Sequence, residues 1–152
     1  MLGFLVFWVV PFILIGCENF PKDPENTLKK VHNGTLRVGY SENPPWVVET
    51  DNIPIGIEPE LVKDFAKSLN AEIEWINDTE QNLFDDLGKK KLHLVVAGIT
   101  SDTPWKKKVG LTRPFAKRGK KKQVMAVIQG ENAFIVQLER FLYQQKKEII
   151  QP

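Results

Sequence analysis

Carboxylates are the first residues in this chain whose spacing could do chemistry. Glu58 and Glu60 lie two apart and Asp85 and Asp86 are adjacent; such pairs can share acid–base work. Each pair also has a plainer use. Glu58 and Glu60 bracket a helix start, where acids complement the helix dipole, and Asp85 and Asp86 fall on a solvated helix face. No Ser/His/Asp set, cysteine nucleophile or glycine-rich phosphate loop accompanies them. His32 and His93 are isolated in sequence and Cys17 is the single cysteine, so neither an intrachain disulfide nor a Cys/His metal set can be built. No catalytic residue, metal ligand or cofactor is assigned, and the expectation is a protein that is not an enzyme.

The stretch from Leu92 to Phe115 offers a different chemistry, that of a binding loop. Leu92, Leu94, Val95, Val96 and Ala97 form a short apolar run that ends at Gly98 and reads as a buried strand. Thr100-Ser101-Asp102-Thr103-Pro104 is a polar turn, and Trp105 follows. A strand that runs into a small-residue loop and a helix start presents backbone N–H groups to a ligand. The alternative is an ordinary strand–loop–helix connection.

Composition narrows the class. Hydrophobic residues at 42% and charged residues at 26% are globular proportions, and 152 residues suffice for one domain with a core. A net charge of +2 is too mild to argue for nucleic acid, and no nucleic-acid partner is expected. The lysines cluster at 89–91, 106–108 and 117–122. Such runs read as solvated surface, with weak attraction to anionic headgroups or ligands as the sharper alternative.

The elements that must position the loop follow from periodicity. Thr35 to Gly39 alternates as a strand, and the proline pair forces Tyr40 to Trp46 into an extended loop. Leu61, Val62, Phe65, Ala66 and Leu69 share one face of a helix from Glu58 to Leu69, with Pro59 in its first turn. Ala71 to Ile76 alternates as a strand. Leu83, Phe84 and Leu87 mark a second helix over about residues 80–90, and the Leu92 strand comes next. Gln123 to Ile128 reads as a last strand, and a helix over about residues 133–145 turns Phe134, Leu138 and Leu142 inward. This order predicts an α/β fold with a mostly parallel central sheet. Ligands of such sheets sit at the C-terminal ends of the strands, where the loops Tyr40–Trp46 and Gly98–Trp105 both lie.

Residues 1–16 form an apolar run too short for a comfortable membrane span, which needs about 20 residues, and they fit a secretory signal better. Leu14-Ile15-Gly16-Cys17 resembles a bacterial lipobox. That resemblance implies diacylglyceration of the Cys17 thiol and cleavage before it. The alternative is an uncleaved anchor helix. Both place the domain outside the cytoplasm, periplasmic or extracytoplasmic, on a membrane. The expected organisation is a signal at 1–16, a lipidated tether at 17–34, one lobe at 35–147 and a frayed tail at 148–152.

Thr35-Leu36-Arg37-Val38-Gly39, then Pro44-Pro45-Trp46, then Gly56-Ile57-Glu58 leading into a helix, resembles the first lobe of bacterial extracellular solute-binding proteins of family 3, the amino-acid-type receptors of ABC importers. Ala97-Gly98-Ile99-Thr100, followed by Leu111-Thr112-Arg113-Pro114-Phe115, is similar to that family's A-G-x-T loop and its closing block. The resemblance implies a single-lobe, periplasmic-binding-protein-like (type II) three-layer sandwich. By matched position it implies a ligand half-site of Ser41, Glu42, Asn43 and Trp46 on one loop and Ala97, Gly98, Ile99, Thr100 and Trp105 on the other. In it the backbone of Gly98 and Thr100 would face a small molecule, and Trp46 and Trp105 would offer aromatic faces or pack into the core.

Two departures stand out. Trp105 occupies the position of the arginine that grips a ligand carboxylate in relatives that bind amino acids, and an indole cannot neutralise a carboxylate. The second lobe, on the order of a hundred residues, has no counterpart after Phe115; the chain reads as one lobe with its own ending, the alternative being a gene fragment. The function expected is a membrane-anchored solute-binding-like lipoprotein, accessory to a transporter. The alternative is an interaction module that docks on a transporter or envelope protein without binding solute.

Overall fold

A computed structural model describes residues 20–149. The signal segment and Cys17 lie outside them, as do residues 150–152. Among the described residues no helix is long and apolar enough to cross a membrane.

Element order follows the alternation of periods in the sequence. A short helix α1 (Thr27–Val31) leads into β1 (Thr35–Tyr40), then a small hairpin of β2 (Val48–Thr50) and β3 (Ile53–Ile55), then α2 (Ile57–Ser68), β4 (Glu72–Asn77), α3 (Glu80–Gly88) and β5 (Leu94–Val96). A 3₁₀ turn (Pro104–Lys107) precedes β6 (Gly110–Leu111), and a second hairpin pairs β7 (Ala116–Arg118) with β8 (Lys121–Gln123). The chain ends on β9 (Ala126–Val127) and α4 (Asn132–Ile149), so the last helix runs past the expected end near Gln145. The strand expected from Gln123 to Ile128 is divided. Its first residue closes the β7–β8 hairpin and its centre joins the main sheet as β9.

The main sheet has the order β4-β1-β5-β9-β6. β1 pairs parallel with β4 and β5, while β9 runs antiparallel between β5 and β6. The sheet is therefore mixed, with two parallel and two antiparallel pairings and four of its five strands running the same way, in keeping with an α/β lobe. Alternation sends successive side chains to opposite faces. Leu36, Val38, Leu94, Val96 and Val127 pack under α2 and α4, where Phe65 meets Phe134 edge-on at 5.9 Å between ring centroids. Val95 and Ala126 face the other way, onto Leu83, Phe84 and Leu87 of α3. Three layers result: helices, sheet, helix.

Local chemistry fixes the helix ends. Gly56 precedes α2 at φ +115°, and a Cβ there would lie 2.8 Å from the Trp46 carbonyl oxygen, so the approach of the β3–α2 turn to the first loop requires glycine. Thr79 caps α3, its hydroxyl accepting the Asn82 N–H at 3.3 Å. At the N-terminal edge of the lobe two acids cap each other's helices. Asp23 Oδ1 accepts the Ala133 and Phe134 N–H groups at the start of α4 (2.6 and 3.0 Å), and Asp23 Oδ2 accepts the Leu28 N–H (2.8 Å). Glu131, buried at the head of α4, accepts the N–H groups of Glu25 (3.0 Å) and Thr27 (3.1 Å). Of the tether expected at 17–34, residues 22–27 are thus clasped to the head of the last helix.

Candidate functional site

The two loops expected to carry a site meet at the C-terminal end of the parallel strands. Gly98 sits at φ +61°, and a Cβ on it would come 2.5 Å from Asn43 Nδ2 and 2.9 Å from Trp46 Cδ1; glycine is what lets the loops touch. Asn43 ties them together, its side-chain amide donating to the Ala97 carbonyl at 2.9 Å. Asn43 also folds its own loop, its backbone exchanging hydrogen bonds with Val47 at 2.8 and 3.1 Å. Trp46 is buried beneath the contact, edge-on to Phe115 at 6.2 Å.

Behind the second loop lies Glu58. Its carboxyl group is fully buried, Oε2 accepts the Gly98 N–H at 2.9 Å, and Oε1 has no hydrogen-bond partner among the described residues. Burial pushes its pKa up to about 8, against the lowering effect of the Gly98 N–H. This carboxyl therefore holds its proton at neutral pH and serves as an acceptor for the loop amide.

The loop is braced from its other side by the β7–β8 hairpin. Ser101 N–H donates to the Lys122 carbonyl and Val124 N–H to the Ile99 carbonyl, both at 2.9 Å. With its amide nitrogen turned to the loop, Gln123 donates to the carbonyls of Gly98 and Ile99 at 3.2 Å each. The Thr100 hydroxyl donates to the Asp102 carboxylate at 2.5 Å, and the Thr100 carbonyl accepts the Thr103 N–H at 3.0 Å. That hydroxyl first, then the Asp102 backbone and the charges of Lys121 and Lys106, hold the exposed Asp102 carboxyl below the usual range. The expectation that Gly98 and Thr100 both offer backbone groups narrows accordingly. The Gly98 N–H is consumed by Glu58, while the Thr100 N–H makes no hydrogen bond among the described residues.

What remains open is a depression of about 490 Å³. One wall is Asn43, Trp46, Gly98 and Thr100; the other is Arg118, Lys120, Lys121 and Gln123. Four of the nine expected residues are thus brought together, counting Asn43, Trp46, Gly98 and Thr100. Ser41 and Glu42 share the first loop without lining the depression, the Glu42 carboxylate instead accepting the Glu49 N–H at 3.4 Å. Ala97 and Ile99 point into the core beneath α3. Trp105 leaves the depression altogether: it stacks on Phe84 of α3, centroids 5.0 Å apart and 6° from parallel, with Lys108 over its ring at 5.4 Å. The hairpin wall was not singled out by sequence reading. Its signal is the basic run at 117–122, which reads as solvated surface, with weak attraction to anionic headgroups or ligands as the sharper alternative, until the chain doubles back against the Gly98 loop.

Known proteins share this architecture. The arginine-bound form of domain 1 from TmArgBP superposes with a TM-score of 0.65 at 25% identity, over 79% of this chain and 97% of that one. An ancestral cationic amino acid solute-binding protein gives a TM-score of 0.70 at 16% identity, over 80% and 94%. In sequence, a probable histidine-binding protein of Campylobacter jejuni is 24% identical over 119 residues, 76% of this chain and 46% of the relative. Membrane-bound lytic murein transglycosylase F of Pseudomonas fluorescens is 34% identical over 108 residues, 68% of this chain and 21% of the relative. The chain thus spans less than half the length of these curated relatives. The family model for bacterial extracellular solute-binding proteins, family 3, matches residues 36–149, the lobe that holds both loops and their supporting helices, and the chain belongs to that family.

Proposed function

We propose that this protein is a membrane-anchored solute-binding lipoprotein whose lobe recognises a small molecule at the depression between the Asn43 and Gly98 loops, as an accessory to a transporter. The observation that carries the reading is the geometry of that depression: two braced loops at the C-terminal ends of parallel strands, with the Thr100 N–H left free. The arginine-bound form of domain 1 from TmArgBP supports it, since that protein carries a ligand on one lobe. Cys17, after an apolar run, is the proposed anchor.

A thermal-shift screen of the whole chain in detergent, with amino acids, amines, sugars and organic acids, tests the binding. At least one compound stabilises the protein, and the effect is lost in Thr100→Tyr, whose ring fills the depression. A flat screen overturns the reading. Mass spectrometry of the mature N-terminus tests the anchor; an unmodified chain still starting at Met1 overturns it.

A second reading, an interaction module, is favoured by a separate groove. About 620 Å³ lies between Arg113–Phe115 and α4, lined by Val136, Glu139, Arg140 and Tyr143 among others, with Tyr143 70% exposed. The transglycosylase relatives, in which the matching segment is about a fifth of the chain, support a role beside other domains. This reading predicts a flat ligand screen together with an envelope-protein partner that Tyr143→Ala releases.

A further inference from the structure

The hairpin that faces the Gly98 loop is not a neutral wall. Its turn, Gly119 at φ +61°, reverses the chain so that Arg118, Lys120 and Lys121 all border the depression. None of the three forms an ion pair among the described residues. The opposite wall, Asn43, Trp46, Gly98 and Thr100, carries no charge of either sign. The neighbouring acid, Asp102, is exposed and held ionised by the Thr100 hydroxyl and the charges of Lys121 and Lys106, so the border of the depression keeps an excess of positive charge. Three like charges held beside one depression repel one another and favour an anion between them and the free Thr100 N–H.

Position adds to charge. Trp105 brings no charge to the Gly98 loop, and its side chain lies against Phe84. The hairpin supplies cations from the other side, and it does so on a fixed base. Phe115 N–H donates to the Gln123 carbonyl at 3.1 Å, and the bonds from Ser101, Val124 and the Gln123 side chain fasten the strands to the loop. Arg118 brings a planar fork suited to a carboxylate or phosphate, and the lysines act as point charges.

We propose that the β7–β8 hairpin is the second wall of the binding site and that it selects a small anionic solute, one bearing a carboxylate or phosphate group, over neutral and cationic ones. The proposal rests on the small-molecule reading of the depression. Arg118 and Lys121 hold the anionic group, Thr100 N–H donates to it, and Trp46 and Asn43 floor the remainder. A cationic amino acid, such as the ligand named for the TmArgBP domain, is disfavoured here by the same three charges.

The test is calorimetric titration of the whole chain in detergent with pairs matched in shape and differing in net charge: L-glutamate and L-glutamine, D-glucuronate and D-glucose, glycerol 3-phosphate and glycerol. L-Arginine and monomeric dihexanoyl-phosphatidylglycerol complete the set. The expected result is binding of at least one soluble acid with its neutral counterpart weaker by about tenfold or more, and loss of roughly ten- to a hundredfold in Arg118→Gln/Lys121→Gln. Raised salt weakens binding in the parent protein. A control that removes two distant exposed lysines, Lys29→Gln/Lys67→Gln, leaves the affinity unchanged. Neutral compounds or L-arginine binding as well as the acids, or a hairpin variant that binds like the parent, overturns the anion assignment while leaving the small-molecule reading intact. Binding of the phosphatidylglycerol alone overturns the solute assignment in favour of a lipid headgroup. A flat response to every probe overturns the small-molecule reading and this proposal with it.

Discussion

Two buried glutamates, at opposite ends of the lobe, do related work with different completeness. Glu131, at the N-terminal clasp, uses both carboxylate oxygens, one on the Glu25 N–H and one on the Thr27 N–H. Glu58, behind the Gly98 loop, uses one oxygen on the Gly98 N–H and leaves the other without a partner among the described residues. A buried carboxylate gains from each N–H it accepts and is penalised for each oxygen left dry. The clasp is therefore a finished structural joint. Among the described residues the loop end retains an unsatisfied group and three cations outside any ion pair, the combination expected where a fold gives up stability to present a site.

Removing the finished joint has the larger effect. Glu131→Ala strips the acceptor from two N–H groups at the start of α1 and loosens that helix, with its buried Val31, from the lobe. The expected loss is about 2–4 kcal/mol in urea unfolding, with faster proteolysis before residue 35 and unchanged affinity for whatever fills the depression. A loss below about 0.5 kcal/mol, within the range of ordinary surface substitutions, shows that the clasp is not what secures the N-terminal segment.

The clasp also marks the limit of what the sequence discloses. Leu61, Val62, Phe65 and Leu83, Phe84, Leu87 announce their helices because a 3.6-residue period has one buried face, and Leu92 to Ala97 announces a strand by its apolar run. Those elements are where the sequence places them, and the loops at their C-terminal ends follow from topology. Asp23 and Glu131 are 108 positions apart and each looks like an ordinary surface acid; only the fold brings them to each other's helix. The same holds for Glu58, legible as a helix-start acid but not as the partner of Gly98. At the depression, Asn43, Trp46, Gly98 and Thr100 were legible by matched position, through the resemblance of their loops to those of the solute-binding family. The hairpin cations were not, because charge runs carry no period and their position depends on a reversal at Gly119.

The unfinished carboxylate is best probed by pH. In the unfolded chain Glu58 releases its proton near the ordinary value of 4.5; folded, it keeps it up to about 8. Between these values the folded state binds more protons, so this contribution to stability is complete below about pH 4.5 and is lost as pH rises through about 8. The slope approaches about 1.4 kcal/mol per pH unit. His93 works against it. Burial first, then the charges of Arg37 and Lys30, lower its pKa from 6.5 to about 4, and its Nδ1 accepts the Arg37 N–H at 3.1 Å. Its contribution is complete above about pH 6.5 and is lost as pH falls through about 4. The two slopes oppose each other between about pH 4.5 and 6.5, and Glu58 alone acts from there to about pH 8. Glu58→Gln, which cannot ionise, should remove the decline above pH 6.5 and expose the rise due to His93 below it. Urea midpoints across pH 4 to 9 measure both, and parallel curves for the parent and variant rule out the buried ionisation.

The smallest expected effect concerns Trp105, whose place in the chain suggests the binding loop and whose contacts belong to packing. Its ring lies flat on Phe84 and is only partly exposed. Trp105→Ala therefore costs about 1–2 kcal/mol, from the lost aromatic pair and the apolar surface it covers. It should leave ligand affinity at the depression unchanged, because no atom of the depression's lining belongs to it. Trp46, also aromatic and on the other loop, is the informative contrast, since it both packs on Phe115 and floors the depression; Trp46→Leu should lower stability and affinity together. If Trp105→Ala instead abolishes binding at unchanged stability, the indole must leave Phe84 to meet the ligand. The loop end would then differ from the clasp in being rebuilt on binding, as well as in its unsatisfied groups.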